Sequence, residues 1–210
     1  MKILAIDFNC IFYSCIRLYE EKVVKEENAA TIWNFLDDRY DMTRFVDYDS
    51  KLLLKLAQII YSNDSHIPGV KKSRNSICVE HSNMVGWITD DILKSENPPE
   101  SISITNIDFF DDLNLVGQSK TNINRFDKYD STNWLGYLYA KGYVQEVTWY
   151  KAANSDVNKY PDDIKYTIKS FRDLDELVNG DFDYVIISTS PKYVPYKYRH
   201  LVDLLAMIGE

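Results

Sequence analysis

The sequence predicts an α/β fold in which a mainly parallel β-sheet lies between two layers of helices. Short apolar runs alternate along the chain with segments whose apolar residues recur at helical spacing. This alternation is typical of a parallel sheet that helices cover on both faces. The chain has 210 residues, 45% of them hydrophobic, which suits one domain with a sizeable core. We therefore expect a single three-layer αβα domain over residues 1–210.

Five apolar runs predict the strands of this sheet. They are short and nearly continuous rather than alternating, as strands buried on both faces are. They lie at residues 2–8, 76–80, 102–107, 144–150 and 184–188.

Four segments between these runs predict helices, because their apolar residues fall on one helical face. The segments are 48–61, 84–93, 133–141 and 196–207. Two connections, 63–75 and 114–130, are long and rich in Asn, Ser, Lys and Asp. Loops of that length are usually functional or mobile.

The charge balance argues against two classes of partner. The chain carries 24 Lys+Arg against 32 Asp+Glu, for a formal net charge of −8. An acidic surface repels nucleic-acid backbones and anionic membranes, so we expect neither as a partner. Basic residues cluster at 71–74 and 192–199, and we interpret both clusters as solvated surface.

The cysteines and the first residues indicate a reducing compartment. The three cysteines are odd in number and lack CxxC spacing, so we interpret them as small core residues. The first apolar run reaches Asp7 too early for a signal peptide. No apolar stretch approaches the roughly 18 residues that a membrane-spanning helix requires. We expect a cytoplasmic protein.

Polar residues concentrate where the predicted strands end. Asp7 ends the first strand, His81 follows the second, and residues 188–190 (Ser-Thr-Ser) end the last. The segment NIDFFDDLN, at 106–114, contains three aspartates within five positions. Ligands of open α/β sheets bind beyond the carboxyl ends of the strands, so we expect these side chains to meet at one edge. The three aspartates are Asp108, Asp111 and Asp112.

Each of these residues alone has a simple structural explanation. An Asp at a strand end is usually a turn residue or a helix N-cap, and a single His is usually a hydrogen-bonded polar residue. Together they favour a metal site, because hard divalent cations prefer carboxylate oxygens and imidazole suits Mn, Fe and Zn. Neighbouring carboxylates also raise one another's pKa unless a cation neutralises them.

The order of five motifs carries a family resemblance. Read in sequence, they resemble the arginase-like (ureohydrolase) fold, in the bacterial and phage branch that includes the peptide arginases of ribosomal peptide pathways. They are LAIDFNCIF at 4–12 (compare L-D-I-D-L-D-x-F), EHS at 80–82 (E-H-D), DFFDD at 108–112 (D-A-H-x-D), STNWLG at 131–136 (S-G-N-Y-L-A) and SPKYVP at 190–195 (S-P-x-Y-x-P).

Arginase-like enzymes hold two Mn ions, and the resemblance implies that only one set of ligands is complete here. The second set would need a carboxylate at position 9 and a histidine at position 110, where this chain has Asn9 and Phe110. A phenyl ring cannot coordinate, and a neutral amide is a poorer ligand than a carboxylate. The ligands implied for the first ion are Asp7, His81, Asp108 and Asp112.

The resemblance thus implies a reduced, mononuclear site with one Mn or Fe(II) ion per chain and Asn9 as a weaker ligand beside it. Asp111 and Asn133 are the candidate catalytic residues. Asp111 would act as a turn residue or as an acceptor that orients a ligand, and Asn133 is the third residue of the helix-start motif. Arginases proper place a functional His in that segment, and neither His66 nor His200 is clearly positioned to replace it.

Two functions follow from these observations. The first is hydrolysis of a C–N bond in a guanidino or amide group, in a small molecule or a peptide, with an acidic rim that attracts the cationic group. The second is a catalytically inactive binding module, which Asn9 and Phe110 favour. The 16 tyrosines, several of them at 184–198, would then offer a surface for a protein partner, although ordinary packing also explains them.

A metal-dependent nuclease is a third function. Residues 6–14 resemble the I-D-G-N-N-x-x-Y-R start of flap-type nucleases, which also hold metals with carboxylates. The sequence pI near 4.9 and the lack of a long basic helix count against it.

Overall fold

One parallel sheet organises the chain. The computed structural model describes residues 1–12, 33, 48–63, 74–78, 80–113, 129, 132–157, 165–190 and 193–207. The strands of this part of the chain are β1 (Lys2–Asp7), β2 (Arg74–Cys78), β3 (Ser103–Ile107), β4 (Glu146–Lys151), β5 (Tyr166–Ser170) and β6 (Tyr184–Ser188). They form a six-stranded sheet in the order β2-β6-β1-β3-β4-β5, and every pairing is parallel.

The described helices fall in the four segments that the sequence predicts. They are α1 (Ser50–Ser62), α2 (Asn83–Gly86), α3 (Trp134–Ala140) and α4 (His200–Met207). A π-helical turn at Trp87–Ile92 continues α2 directly, so the predicted helix 84–93 changes its winding midway. Short 3-10 helices occur at Phe8–Ile11, Phe171–Leu177 and Tyr196–Tyr198.

Helices pack on both faces of the sheet, which confirms the three-layer α/β prediction. Leu4 and Ile6 of β1 lie in one buried cluster with side chains of α1 and α4. Ile3 and Ala5 lie in the opposite cluster with side chains of α2 and α3. All four β1 side chains are completely buried, and each buried Leu or Ile stabilises the fold by about 1.5–3 kcal/mol. This explains why β1 is apolar at consecutive positions.

The sequence-based strand predictions fail at the two edges of the sheet. Edge strand β2 begins two residues before the predicted 76–80 and ends at Cys78. Edge strand β5 was not predicted, because its sequence YTIKS is largely exposed or half-buried and Ile168 is 41% exposed. An edge strand has a neighbour on one side only and need not be apolar on both faces. The apolar pattern in the sequence of β5 is therefore weak.

Several predicted features lie outside the described residues. This group includes most of the loops 63–75 and 114–130, together with Cys15, His66, Ser131 and residues 191–192. Of the remaining cysteines, Cys10 is buried, Cys78 is half-buried, and neither forms a disulfide. Within the described part of the chain, none of the helices has the length and apolar character that crossing a bilayer requires.

The connectivity places a switch point of the strand order at the carboxyl ends of β1 and β3. The chain leaves β1 toward β2 on one side and leaves β3 toward β4 on the other. The helices that follow these strands, α1 and α3, lie on opposite faces of the sheet. Open α/β sheets bind ligands where the strand order reverses in this way. Asp7 and Asp108 lie at this position, at the ends of β1 and β3.

The first turn of α3 packs directly against the segment that follows β3. The backbone amides of Leu135 and Gly136 donate to the carbonyl oxygen of Asp112 at 3.2 and 3.3 Å. A Cβ atom on Gly136 would lie 2.0 Å from the carbonyl oxygen of Leu113. Glycine is therefore required here by close backbone approach.

Replacement of Gly136 by alanine should separate α3 from this segment. We expect Gly136→Ala to lower the free energy of unfolding by roughly 2–3 kcal/mol, because backbone atoms on both sides must shift. Gly86→Ala is the matched control, since a Cβ there meets nothing within 4 Å and alanine favours a helix by up to about 1 kcal/mol. Urea unfolding of both variants tests this. Equal effects would show that the approach at Gly136 is not tight.

Candidate metal centre

A buried histidine faces three carboxylates at the carboxyl edge of the sheet. The Nδ1 atom of His81 lies 3.8 Å from Oδ2 of Asp7, 3.6 Å from Oδ2 of Asp108 and 3.7 Å from Oδ2 of Asp112. The four residues are between 1% and 6% exposed. The structure thus brings together the four side chains that the resemblance implies as ligands.

Local turns orient two of these carboxylates. Oδ1 of Asp7 accepts a hydrogen bond from the backbone amide of Asn9 at 2.9 Å, which caps the 3-10 helix after β1. Oδ1 of Asp108 accepts one from the amide of Phe110 at 3.2 Å. In both cases an aspartate closes a turn with one oxygen and presents the other to His81. Each of these aspartates therefore closes its own turn with one oxygen and leaves the other oxygen available at the site.

Among the residues that the structure describes, none is hydrogen-bonded to the ring of His81. Neither ring nitrogen makes a hydrogen bond, although the side chain is 2% exposed. The carboxylate oxygens at 3.6–3.8 Å are ion-pair neighbours and are too distant for hydrogen bonds. A buried polar group without a partner costs about 1–3 kcal/mol. The buried carboxamide oxygen of Asn9 is also without a partner, so two unsatisfied groups occur at this strand edge.

Three of the side chains fit a metal ion. One ligand atom each from Asp7, His81 and Asp108 lies within 4.8 Å of the other two. Two ligands of one divalent ion are typically about 3.0–3.6 Å apart, given bond lengths near 2.1–2.2 Å. The separations from His81 Nδ1 are close to that range. The buried Asp7–His81–Asp108 group can therefore bind a metal ion.

Asp112 differs from the other two aspartates. It does not belong to the group with mutual separations below 4.8 Å. Its Oδ2 atom accepts a hydrogen bond of 2.6 Å from the indole Nε1 of Trp134, and this same atom is the one nearest His81. The resemblance implies four equivalent ligands, whereas Asp112 is set apart by its hydrogen bond from Trp134 and lies outside the three-residue group.

Burial and mutual repulsion shift the titration of the acids. Burial, followed by the charge of Asp108, raises the pKa of Asp7 to about 7. Burial, followed by the charge of Asp112, raises the pKa of Asp108 to about 7. Burial also raises the pKa of Asp112. For His81, burial opposes the charged ring, but the surrounding carboxylates outweigh it and raise its pKa well above the usual value. Protons thus take the place of a cation in this cluster.

The two candidate catalytic residues lie beside the cluster. Asp111 is 8% exposed, and its Oδ1 accepts a hydrogen bond from the backbone amide of Leu113 at 3.3 Å, as expected of a turn residue. Asn133 is half-buried at the start of α3, and its side chain makes no capping hydrogen bond. His200, in contrast, is exposed and lies against the carbonyl oxygen of Lys197.

In the sequence resemblance, Phe110 corresponds to a metal-binding histidine of arginase-like enzymes. Its half-buried ring contacts Tyr193 and Phe109, with ring centroids 5.5 and 5.1 Å away. These aromatic contacts give the side chain a packing role next to Asp108. A second metal ion would have no ligand from position 110.

Three further residues support the cluster; the sequence placed Ser188 and Ser190 at this strand edge without a role, and it did not predict the contact of Trp134. The Ser190 side chain interacts with Asp7 and favours its charged form, and its hydroxyl lies 3.0 Å from that of Ser188. Trp134, which belongs to the helix-start motif at 131–136, is the donor to Asp112. The Ser-Thr-Ser segment at the end of the last strand was the available signal for the serines. Nothing in the sequence showed the direction of the indole.

Two residues of the site have left-handed backbone conformations. Asp112 has φ of 52° and Ser190 has φ of 43°. Such conformations are uncommon outside glycine, and they concentrate at functional sites because surrounding contacts must hold them. Both residues occur in loops that follow strands at the same sheet edge.

The fold and the site together define an α/β protein with a buried candidate metal centre at a switch point of its parallel sheet. Comparisons of the chain with protein-family models, with curated proteins and with solved structures found no match. The resemblance to arginase-like enzymes therefore rests on the five sequence motifs alone.

Without metal, the cluster should make the protein less stable as the pH rises. The folded state binds protons more tightly at Asp7 and Asp108 than the unfolded chain does, so the free energy of unfolding falls between about pH 4 and 7. His81 acts in the same direction, because the stabilisation from its raised pKa is lost as the pH rises through that pKa. Each unit of pKa shift corresponds to about 1.4 kcal/mol.

Urea unfolding in a chelator from pH 4 to 8 measures this dependence. The Asp108→Asn variant is the comparison, because removal of one acid should flatten the slope. Identical slopes for the two proteins would contradict the assignment of the shifted groups.

Proposed function

We propose that this chain is a metal-dependent hydrolase that cleaves a C–N bond in a guanidino or amide group. The observation that carries the proposal is the buried His81, which has no hydrogen bond and faces three carboxylate oxygens. A cation at this point satisfies the imidazole and neutralises the acids at once. The sequence resemblance supplies the reaction class, and the substrate is a small molecule or a peptide.

We propose one Mn or Fe(II) ion per chain, held by Asp7, His81 and Asp108. Two carboxylates and one imidazole are a typical ligand set for these metals. A structural zinc site, in contrast, normally has Cys and His ligands. Asn9 is a weaker neighbouring ligand with a buried, unpartnered oxygen. When bound, the ion would lower the pKa of water and polarise the bond that is cleaved.

The protein's own side chains would contribute charge and proton transfer. The acidic cluster attracts a cationic guanidinium group, and burial strengthens that attraction by excluding water. Asp112 is the carboxylate outside the three-ligand group, and burial raises its pKa, which makes it a better proton acceptor than an ordinary aspartate. Asp111 and Asn133 remain the candidates for substrate contacts beside it.

A binding module without catalysis is the alternative function. Asn9 and Phe110 favour it, because they replace the ligands that a second ion would need. A protein partner would then use the tyrosine-rich C-terminal surface. Tyr184 and Tyr198 are half-buried and pack against other aromatic rings. In either case we propose a cytoplasmic location.

Metal binding tests the site itself. Purified protein loaded with Mn²⁺ or Fe²⁺ should retain about one equivalent per chain. Changes at supporting groups around a metal typically weaken binding by about 10–100-fold, so loss of a ligand in Asp108→Asn or His81→Ala should weaken it by more than about 100-fold. Asp90→Asn is the matched control, because Asp90 is exposed and pairs with Lys94. Equal metal content in all four proteins would rule out this site.

Turnover tests the reaction class separately. The metal-loaded protein should release urea from arginine-containing peptides and leave ornithine in the peptide, or release ammonia from amides, and Asp108→Asn should not. Bound metal without any turnover would favour the binding module. Cleavage of flap DNA would instead support the nuclease function.

A further inference from the structure

Trp134 makes a direct contact with the fourth acid of the cluster. Its indole Nε1 donates to Oδ2 of Asp112 at 2.6 Å, and its ring centroid lies 5.3 Å from that of His81. Trp134 is completely buried and Asp112 is 4% exposed. The hydrogen bond is therefore shielded from water, which strengthens it.

The first turn of α3 holds Asp112 at two points. The indole holds the side chain, and the amides of Leu135 and Gly136 hold the backbone carbonyl. These contacts stabilise the left-handed conformation of Asp112, with φ of 52°. Gly136 makes the approach possible, because a Cβ would collide with Leu113. Rotation of the Asp112 carboxylate is restricted from both ends of the residue.

The indole binds the oxygen that could otherwise bind the ion. Oδ2 of Asp112 is 3.7 Å from Nδ1 of His81, much like the oxygens of Asp7 and Asp108. Yet Asp112 does not belong to the group whose ligand atoms lie within 4.8 Å of one another. A carboxylate oxygen that accepts a short, buried hydrogen bond is stabilised where it is.

We infer that Trp134 is a positioning residue that holds Asp112 away from the ion, so that the metal keeps open positions for water and substrate. This inference rests on the proposed metal-dependent function. Phenylalanine at position 134 fills most of the same space but has no N–H donor. It would release Oδ2 of Asp112 to become a fourth protein ligand. The metal would bind more tightly and lose a position for water.

Titration with Mn²⁺ measures both quantities without an activity assay. Electron paramagnetic resonance gives the free ion, and water-proton relaxation reports how many exchanging waters the bound ion carries. For Trp134→Phe we expect the affinity for Mn²⁺ to rise on the order of 10-fold, since an added charged ligand tightens binding. The relaxation enhancement should fall by the contribution of about one bound water. A double variant with Asp112→Asn should recover the wild-type relaxation.

Trp87→Phe is the matched control. Trp87 is also part of the core, but it packs against Tyr184 at the start of β6, at the opposite end of the strands. It should keep wild-type affinity and relaxation. A change in Trp87→Phe equal to that in Trp134→Phe would point to general loosening of the core and overturn the inference.

Asp112→Asn alone keeps the test decisive if Trp134→Phe does not fold. We expect it to weaken Mn²⁺ binding by no more than about 100-fold, the effect of a supporting group, because Asp112 is not a ligand. A loss of more than about 100-fold, as for a true ligand, would overturn the inference and leave the metal centre standing. Failure of the wild-type protein to bind Mn²⁺ would instead overturn the metal centre, and the role of Trp134 with it.

Discussion

The burial of one imidazole among three carboxylates is the constraint on which the rest of the site depends. The acids repel one another and lose hydration when they are buried, so their charge must be balanced by protons or by a cation. His81 can balance part of it, but its nitrogens make no hydrogen bonds. A positive ion could therefore satisfy the cluster, and burial and mutual repulsion raise the pKa of both Asp7 and Asp108 to about 7.

The buried core of the sheet holds these charged side chains close together at the strand ends. β1 is buried on both faces, and its apolar side chains anchor two helical layers that fix the strand ends. At those ends, Asp7 and Asp108 each close a turn with one oxygen and keep the other available. The first turn of α3 fixes Asp112 in the same way, through Trp134 and Gly136. The stability of the core thus compensates for the strain and repulsion at the site.

The sequence predicted the centre of this molecule better than its edges. Strands buried on both faces leave continuous apolar runs, so β1, β3 and β6 were recognisable, whereas β5 is half-exposed and was not. The end of each parallel strand marks the binding edge, which made Asp7, His81 and Asp108 predictable together. The direction of the Trp134 indole depends on packing between distant segments, and no local pattern encodes it. For the same reason the sequence could not separate Asp112 from the other acids.

A crystal of the protein soaked in Mn²⁺, with data collected to record the anomalous signal of manganese, tests the central claim most directly. A metal centre predicts a single strong anomalous peak among Asp7, His81 and Asp108, about 2.0–2.3 Å from one atom of each, with Asp112 still bonded to Trp134. A lysine, an arginine or a chain of water molecules at that point, without an anomalous peak, would contradict it.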